Sequence, residues 1–391
     1  ATVKEMQAGG FFPETGAIVT APVAEPVIVP LTEMQEEMWL AAEMGDDASR
    51  AMNDTTAVHM RGALRLEVLQ ETLQALVDRH DALRTTYLRD GTGQRILAQL
   101  KFAWSLTDLT GRSEAERPQL LDGILAQVDQ KSFNLATGPL LRAELVRLAS
   151  DHHVLILTAH HSIVDGWSVG VLLHELSLIY SARVQGLPLK LEPALQYRDY
   201  AEWQQSPGYR SAAAAAEAYW ISKFADGPAA VELPTDHVRP VRRTFRASQQ
   251  VRRIEPELHS QLKQASRKQG CTLLTYLMAS FNIWLRRTTG QEDLIVGIPA
   301  AGQIATEALA LPGNRGLVGH CVNLLPIRSR CTGEATFAEY VADLKRITLD
   351  AYEHQNITFG TLVKKVKLAR DSSRVPLVVV PSRWRSAQPV I

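Results

Sequence analysis

The stretch TAHHSIVDGWS, at residues 158–168, joins two elements that the sequence predicts on either side of it. The apolar run before it, residues 154–157, is typical of a buried strand, and the residues from about Ser168 onward are typical of a helix. The polar side chains between them therefore lie at a sheet edge, beside the positive N-terminal end of a helix. This junction favours a reaction centre, because charge that develops there is stabilised.

Two consecutive histidines, His160 and His161, end the predicted strand. Histidine titrates near neutral pH, and neighbours in extended backbone point in opposite directions, so at most one ring faces a substrate and the other is structural. We expect Asp165 to fold back and accept hydrogen bonds, whereas Gly166 permits a tight turn or the close approach of a substrate. An ordinary polar strand end followed by a turn also fits these residues.

A second histidine pair, His152 and His153, precedes the same strand directly after Asp151. A solvated turn accounts for this pair, so we predict that it has no chemical role. Context, and not the number of histidines, distinguishes the two pairs.

Composition bounds the class of protein. The chain has 391 residues, of which 46% are hydrophobic and 21% charged, which predicts a large folded core in two to three domains. Lys plus Arg and Asp plus Glu both number 42, so no net charge favours nucleic acid or anionic lipid as a partner. Without a long apolar run or a secretion signal, a cytoplasmic protein is expected. Cys271, Cys321 and Cys331 lack CxxC spacing, so we expect packing roles and no metal site.

Along the chain, residues 1–30 read as a linker, and the first helix begins at the N-cap Thr32 and ends at Gly45. Helices and short strands alternate in both halves, with a break around 186–195, which predicts α/β or α+β lobes. A hairpin is predicted around Asp90-Gly91. In the second half of the chain we also predict strands at 248–254, 293–298 and 376–380, and a helix at 337–353.

The run HHSIVDG, residues 160–166, matches the HHxxxDG signature of condensation domains from nonribosomal peptide synthetases, and the chain resembles that family from about residue 31 to residue 359. Six other segments resemble the family's motifs in the expected order. They are LTEMQEEMWL (31–40), RHDALRTTY (79–87), YRDYAEW (197–203), VGIPAAGQ (296–303), GLVGHCVNLLPIR (316–328) and HQNITF (354–359).

The resemblance implies an α/β fold with two lobes, each like a chloramphenicol acetyltransferase subunit, that form a V around a central tunnel. The N-terminal lobe would span 31–190 and the C-terminal lobe 191–391. The C-terminal lobe is expected to be incomplete relative to the family, because residues 381–391, PSRWRSAQPVI, do not resemble the family's closing elements.

The resemblance also implies the reaction. An upstream carrier protein presents an acyl or peptidyl thioester and a downstream carrier an aminoacyl thioester, both on phosphopantetheine arms, and the product is an amide on the downstream carrier. The partners would be these carriers and the neighbouring synthetase modules, with no cofactor bound by the domain itself, which as an excised domain would be monomeric. Direct aminolysis needs no enzyme nucleophile, and no GxSxG pattern is present. Carriers are often acidic, so docking should use local basic patches.

By the same resemblance His161 orients the amine and accepts or relays its proton, with orientation supplying much of the effect. His160 and Asp165 hold the loop, and the backbone N–H of Gly166 faces the developing oxyanion.

Other motif residues receive less specific roles. Trp167, Ser168 and Asn323 line the tunnel, although a core aromatic, a helix start and an asparagine bonded to backbone are the respective alternatives. Arg79 and Arg84 pair with carboxylates that brace the first lobe, or are solvated surface charges.

Two departures from the family pattern matter. Gln303 stands where many members have arginine, which leaves the ionic partner of Asp165 open, and Thr358 replaces a proline. The wording of 296–303 and 316–328 resembles the hybrid polyketide and peptide subgroup, which implies a polyketide-type or fatty acyl donor.

Alternative functions are an epimerization domain, a coenzyme A-dependent acyltransferase of the same superfamily, and a non-catalytic carrier-docking module. A cyclising member is disfavoured, because aspartate would replace His160.

Overall fold

The computed structural model describes residues 25–227, 230–246, 252–302, 316–366, 371–378 and 380–381. The helices are α1 Glu33–Ala42, α2 Asp46–Arg50, α3 Leu66–Arg79, α4 Arg117–Asp129, α5 Gly166–Gln185, α6 Tyr197–Gln204, α7 Pro207–Lys223, α8 Pro256–Lys268, α9 Leu273–Thr289, α10 Phe337–Glu353 and α11 Phe359–Lys365. The strands are β1 Val27–Val29, β2 Asn53–Arg61, β3 Thr85–Tyr87, β4 Gln94–Ile96, β5 Trp104–Asp108, β6 Leu141–Ala149, β7 His152–His160, β8 Asp293–Ala300, β9 Asn323–Arg330 and β10 Val380–Pro381. This mixture confirms the predicted α/β class.

The largest sheet lies in the first half of the chain and has the strand order β2-β7-β6-β5. Strand β7 is central, antiparallel to both β2 and β6, and its apolar run VLIL packs into the core. Strand β5, which the sequence reading missed, adds a parallel edge beside β6. Because β7 is held on both sides, its C-terminal end is a fixed platform for the residues that follow it.

A small sheet of order β1-β4-β3 packs beside α1. The predicted hairpin is confirmed, since β3 and β4 pair antiparallel on either side of Asp90-Gly91. Residues 27–29, which the sequence reading placed in the linker, form β1 and pair with β4. Residues 1–24 of that linker lie outside the described residues.

The second half of the chain has a sheet of order β10-β8-β9, in which β8 and β9 are antiparallel. Strand β8 and helix α10 occupy the predicted residues. The predicted strand at 376–380 is largely wrong, because only Val380–Pro381 pairs, in parallel with β8. The strand predicted at 248–254 lies partly outside the described residues, and 252–254 are not in a strand.

Two large apolar cores form around these sheets. The first contains β6, β7, α3 and α5, and it also includes Leu317, Val318 and Cys321, far along the chain. The second packs α9, α10 and α11 around β8 and β9. The first core thus crosses the predicted boundary at 190/191, and the division into two lobes stays a prediction.

The sequence predicts the starts of helices well where a polar N-cap residue precedes an apolar helix face. Thr32 caps α1 through a reciprocal capping box with Gln35. Helix α5 begins at Gly166, two residues earlier than predicted, because Asp165 is its N-cap. No helix in the described part of the chain is long and apolar enough to span a bilayer.

The prediction of a solvated turn for the pair His152 and His153 is wrong. His152 and His153 lie within β7, paired with Arg61 and Met60 of β2. His153 is only 3% exposed. The hydrogen bonds to β2 and β6 include His152 and His153, so β7 begins at these polar residues and no turn forms there.

Candidate active site

Strand β7 ends at His160, whose side chain is fully buried. Its Nδ1 lies 2.7 Å from the Ser162 hydroxyl, and the ring meets Phe133 edge to face. Burial, with a smaller contribution from His161, lowers the pKa of His160 to about 4. The ring is therefore neutral at pH 7 and packs inside the turn, where no substrate reaches it.

His161 is the half-buried member of the pair. Its backbone N–H donates to the Met52 carbonyl at 2.7 Å, and its Nδ1 lies 2.7 Å from the Val164 carbonyl oxygen. A carbonyl only accepts, so Nδ1 carries the proton and Nε2 carries the lone pair. Within the described residues nothing bonds to Nε2, so this nitrogen is chemically suited to accept a proton.

Asp165 is fully buried at the start of α5 and accepts three hydrogen bonds. Oδ1 accepts from the backbone N–H and the hydroxyl of Ser168, both at 2.8 Å, and Oδ2 accepts from the Cys321 N–H at 3.0 Å. Burial raises the pKa of Asp165, and these hydrogen bonds offset only part of that shift. No arginine pairs with it in the described part of the chain, and Gln303 lies outside that part.

Ser168 joins two distant pieces of chain. Its hydroxyl oxygen lies 2.8 Å from the Gly319 carbonyl oxygen and accepts from the Gly319 N–H at 3.0 Å. The single hydroxyl proton is shared between that carbonyl and Asp165. Ser168 is fully buried in the first turn of α5, which matches the helix-start alternative. It therefore does not line an open tunnel.

The facing segment, residues 316–323, runs from that contact into β9. Gly319 packs so closely that a Cβ there would lie 1.9 Å from the Tyr197 ring. His320 follows, with its ring 4.6 Å from the His161 ring at 80°. No local pattern marks His320 as a functional residue, and its position inside a motif segment, residues 316–328, is the only signal in the sequence.

Gly166 differs from Gly319 because nothing in the structure requires a glycine there. Its φ is ordinary, and a Cβ would meet no atom within 4 Å. Beside it, Trp167 is 48% exposed, so the core-aromatic alternative is wrong. Both line a groove of about 750 Å³ along α5, with Gly170, Val171, His174 and Leu178.

Asn323 at the start of β9 is buried and uses its whole amide on backbone. Nδ2 donates to the carbonyls of Gln355 and Ile357, and Oδ1 accepts from the N–H groups of Leu324 and Phe359. Asn323 therefore fixes the HQ loop, residues 354–359. This matches the alternative of an asparagine bonded to backbone.

Arg79 pairs with Glu175 of α5 at 3.0 Å and also donates to the Glu192 carbonyl. Burial tends to raise the pKa of Glu175, but its contacts with His80 and Arg79 outweigh that and lower it. These pairs tie α3 to α5 and so steady the helix that carries Asp165 and Gly166.

Arg84 is nine-tenths buried and pairs with Asp81 at 2.8 Å. It also donates to three backbone carbonyls, those of Val77, Asp78 and Leu97. Neither arginine is thus a solvated surface charge.

Among the described residues no group of three or more His, Cys, Asp or Glu is arranged to hold a metal ion. Cys321 and Cys331 are buried, Cys271 is partly buried, and all three are free thiols. Most polar groups at the junction are instead bonded to one another and to backbone. Within the described part of the chain His160 Nε2 has no partner but is buried, whereas His161 Nε2 is unbonded in a half-buried ring and Gly166 has no side chain.

Comparisons with known proteins place the chain in a family. The family described as "Condensation domain" matches residues 27–381. Tyrocidine synthase 3 of Brevibacillus parabrevis is 35% identical over 91% of this chain and 5% of that protein. Malpibaldin synthetase of Mortierella alpina is 31% identical over 91% of this chain and 6% of that protein. The chain thus spans less than a tenth of the length of these relatives.

Solved structures agree with the sequence relatives. A complex of the X-domain and OxyB from teicoplanin biosynthesis superposes with a TM-score of 0.75 and 25% identity, over 94% of this chain and 79% of that chain. A four-domain nonribosomal peptide synthetase bound to AMP and glycine gives a TM-score of 0.77 at 21% identity, over 90% of this chain and 26% of that chain. This chain therefore belongs to the condensation domain family of nonribosomal peptide synthetases.

Proposed function

We propose that this chain forms an amide bond between a donor acyl or peptidyl thioester and an acceptor aminoacyl thioester, both carried on phosphopantetheine arms of carrier proteins. The observation that carries the proposal is the state of His161, whose Nδ1–H is bonded to the Val164 carbonyl while Nε2 is unbonded. A neutral imidazole held in one tautomer orients an amine and accepts its proton.

The proposed step is direct aminolysis. The acceptor amine attacks the thioester carbonyl carbon, a C–N bond forms, and the amine proton passes to His161 Nε2. The tetrahedral oxyanion then collapses, the C–S bond breaks, and the departing sulfur takes that proton to leave a thiol on the donor arm. No enzyme nucleophile is needed, so the protein contributes alignment of two tethered groups and transfer of one proton.

Gly166 supports the proposed place for the oxyanion. Asp165 caps α5, so the first backbone N–H groups of the helix lie beside the junction, and Gly166 presents its backbone without a side chain. An oxyanion close to this backbone would be stabilised by the N–H dipoles and the helix N-terminus. The groove lined by Gly166 and Trp167 is open to a long, thin group, and we infer that it receives one substrate arm.

The carrier partners stay part of the proposal, and charge supports a place for one of them. Between Asp236 and Glu255 the chain has six arginines and no acidic residue, despite zero net charge overall. In this segment Arg239, Arg242 and Arg246 are exposed. An acidic carrier surface would be attracted there. The resemblance of residues 296–303 and 316–328 to the hybrid polyketide and peptide subgroup supports a polyketide-type or fatty acyl donor.

A second candidate function is a docking module without catalysis. The similarity to the X-domain that forms a complex with OxyB favours it, because that relative binds another protein. Against it, His161 and Asp165 are both present, and the tautomer of His161 leaves Nε2 able to accept a proton. The same assay therefore separates the two candidates.

The test uses purified donor and acceptor carriers loaded with synthetic acyl and aminoacyl phosphopantetheine, with intact-protein mass spectrometry of the acceptor. We expect the wild-type chain to add the acyl mass to the acceptor. His161→Ala should lower that rate by about 10²- to 10⁴-fold, the usual range for a proton-transfer residue. His153→Ala, a buried histidine elsewhere on β7, is the matched control and should retain the rate.

Two outcomes would contradict the proposal. Full activity of His161→Ala would exclude its role in the reaction. Exchange of the acceptor α-proton in deuterated water, without transfer of the acyl mass, would instead identify an epimerization domain.

A further inference from the structure

The ring of His320 is buried beside His161 in an arrangement that the proposed reaction does not itself require. The two ring centroids lie 4.6 Å apart at 80°, an edge-to-face contact. His320 is 3% exposed, and its Nδ1 has no hydrogen-bond partner in the described part of the chain. A buried nitrogen without a partner is unfavourable, so packing alone would favour an apolar ring at this position.

The backbone holds His320 firmly on both sides. Its carbonyl accepts from the Tyr197 hydroxyl at 2.6 Å. The preceding Gly319 is bonded to Ser168, and the following Cys321 donates its N–H to Asp165. Because both neighbours are tied to the start of α5, the ring of His320 has a fixed position relative to the turn that carries His161.

We propose that His320 is a positioning residue, whose ring holds the His161 imidazole in the orientation that keeps Nδ1 bonded to Val164 and Nε2 open. This inference rests on the proposed function of His161. The Val164 carbonyl accepts from His161 Nδ1. The Val164 backbone also interacts with the His320 ring, so the rings of His161 and His320 both contact this residue.

The electrostatics fit this role. Burial lowers the pKa of His320 well below its usual value, and the nearby His161 and His160 lower it further. His320 thus stays neutral and adds no positive charge beside His161 when that ring takes up a proton. His160, which is also neutral, and the Asp165 carboxyl likewise interact electrostatically with His161.

The test compares His320→Phe, which keeps an aromatic ring, with His320→Ala, which removes it. We expect His320→Ala to lower kcat by about tenfold to a hundredfold with KM little changed, because misplacing a reacting group costs up to that factor. His320→Phe should recover most of the loss. His320→Leu replaces His320→Ala if the alanine variant does not fold.

A second measurement reads the ring directly. Nitrogen NMR of labelled histidine should show one His161 tautomer, protonated at Nδ1, in the wild-type chain and in His320→Phe. His320→Ala should show a mixture of tautomers. The matched control is His153→Ala, since His153 is equally buried and its Nδ1 also lacks a partner. It should lose stability but keep both kcat and the His161 signal.

Three results would overturn the inference: wild-type kcat and a single tautomer in folded His320→Ala, equal losses in His320→Phe and His320→Ala, or an equal loss of kcat in His153→Ala. If the wild-type chain forms no amide, the proposed function fails, while the NMR comparison still decides whether His320 positions His161.

Discussion

The HHxxxDG turn, residues 160–166, and the facing segment, residues 316–323, meet at one site but differ in what they contribute. The turn has two open groups, the Nε2 of His161 and the backbone of Gly166. The facing segment is mainly packed and bonded: Gly319 packs on Tyr197, Cys321 bonds to Asp165, and the Nδ1 of His320, unbonded among the described residues, is buried.

The difference indicates that the HHxxxDG turn carries the reacting groups, whereas the facing segment holds that turn in place. The open groups lie between a central strand and a long helix, which position them. The facing segment is held by hydrogen bonds and close packing, and it fixes the turn from the opposite side. Substitutions of the packed and bonded residues of the facing segment should therefore affect folding, whereas those at the open groups should affect turnover. His320 is the exception within the facing segment, because its ring contacts His161.

The largest effect on folding is expected for Gly319→Ala. The added methyl group would overlap the buried Tyr197 ring, and we expect a cost of about 3 kcal/mol, the upper end of the usual range for overpacking. Urea denaturation should show this as a lower free energy of unfolding. Unfolding at the wild-type midpoint would mean that the close contact does not exist in solution.

Asp165→Ala should cost about 2 to 3 kcal/mol, because it leaves the N–H groups of Ser168 and Cys321 buried without an acceptor. Relief of the buried charge limits the loss, since the pKa of Asp165 is already raised. Urea denaturation measures it, with Asp199→Ala, an exposed aspartate on α6, as the control. Equal stability of both variants would contradict the joining role.

The pH dependence of stability tests the buried histidines. The pKa of His160 is about 4 when folded, against 6.5 ordinarily, so the unfolded chain binds the proton more readily. Its contribution should therefore fall by about 1.4 kcal/mol per pH unit as the pH drops from 6.5 towards 4. His320 should act in the same direction, because its pKa is also lowered.

Denaturant titrations at several pH values measure this slope, and His160→Asn should reduce it. Ser162→Ala is the control, because it removes the partner of His160 but no titrating group, and it should keep the wild-type slope. An unchanged slope in His160→Asn would show that His160 is not held neutral.

The smallest effect on folding is expected for Gly166→Ala. A methyl group there meets no protein atom, so the free energy of unfolding should change by no more than about 0.5 kcal/mol. Turnover in the carrier assay should nevertheless fall by about tenfold, or about 1.4 kcal/mol in the barrier, because the substrate must approach this backbone.

Gly123→Ala on α4 is the matched control for that variant, since its Cβ position is also open, and it should keep full turnover. Wild-type turnover in Gly166→Ala would exclude a close approach of the substrate. A large loss of stability would place Gly166 with the facing segment instead.

Much of the fold was predictable because caps and apolar periodicity are local. Thr32 marked the start of α1, and the strand-to-helix junction at 160–168 was placed to within two residues. The errors arose where pairing overrides local polarity. His152 and His153 join β7 because β2 and β6 supply hydrogen bonds on both sides, and the 376–380 region forms only a short strand.

The sequence by itself determined the family, the α/β class and the histidine pair with its following aspartate and glycine, because motif order and short-range spacing are written in the chain. Only the tertiary structure decided that His160 is buried, that His161 has a free Nε2, and that Ser168 and Asp165 bond to the facing segment. The physical reason is distance along the chain. Residues more than 150 positions apart meet here because residues 317–321 pack into the first core, and neither residue carries a local signal of its partner.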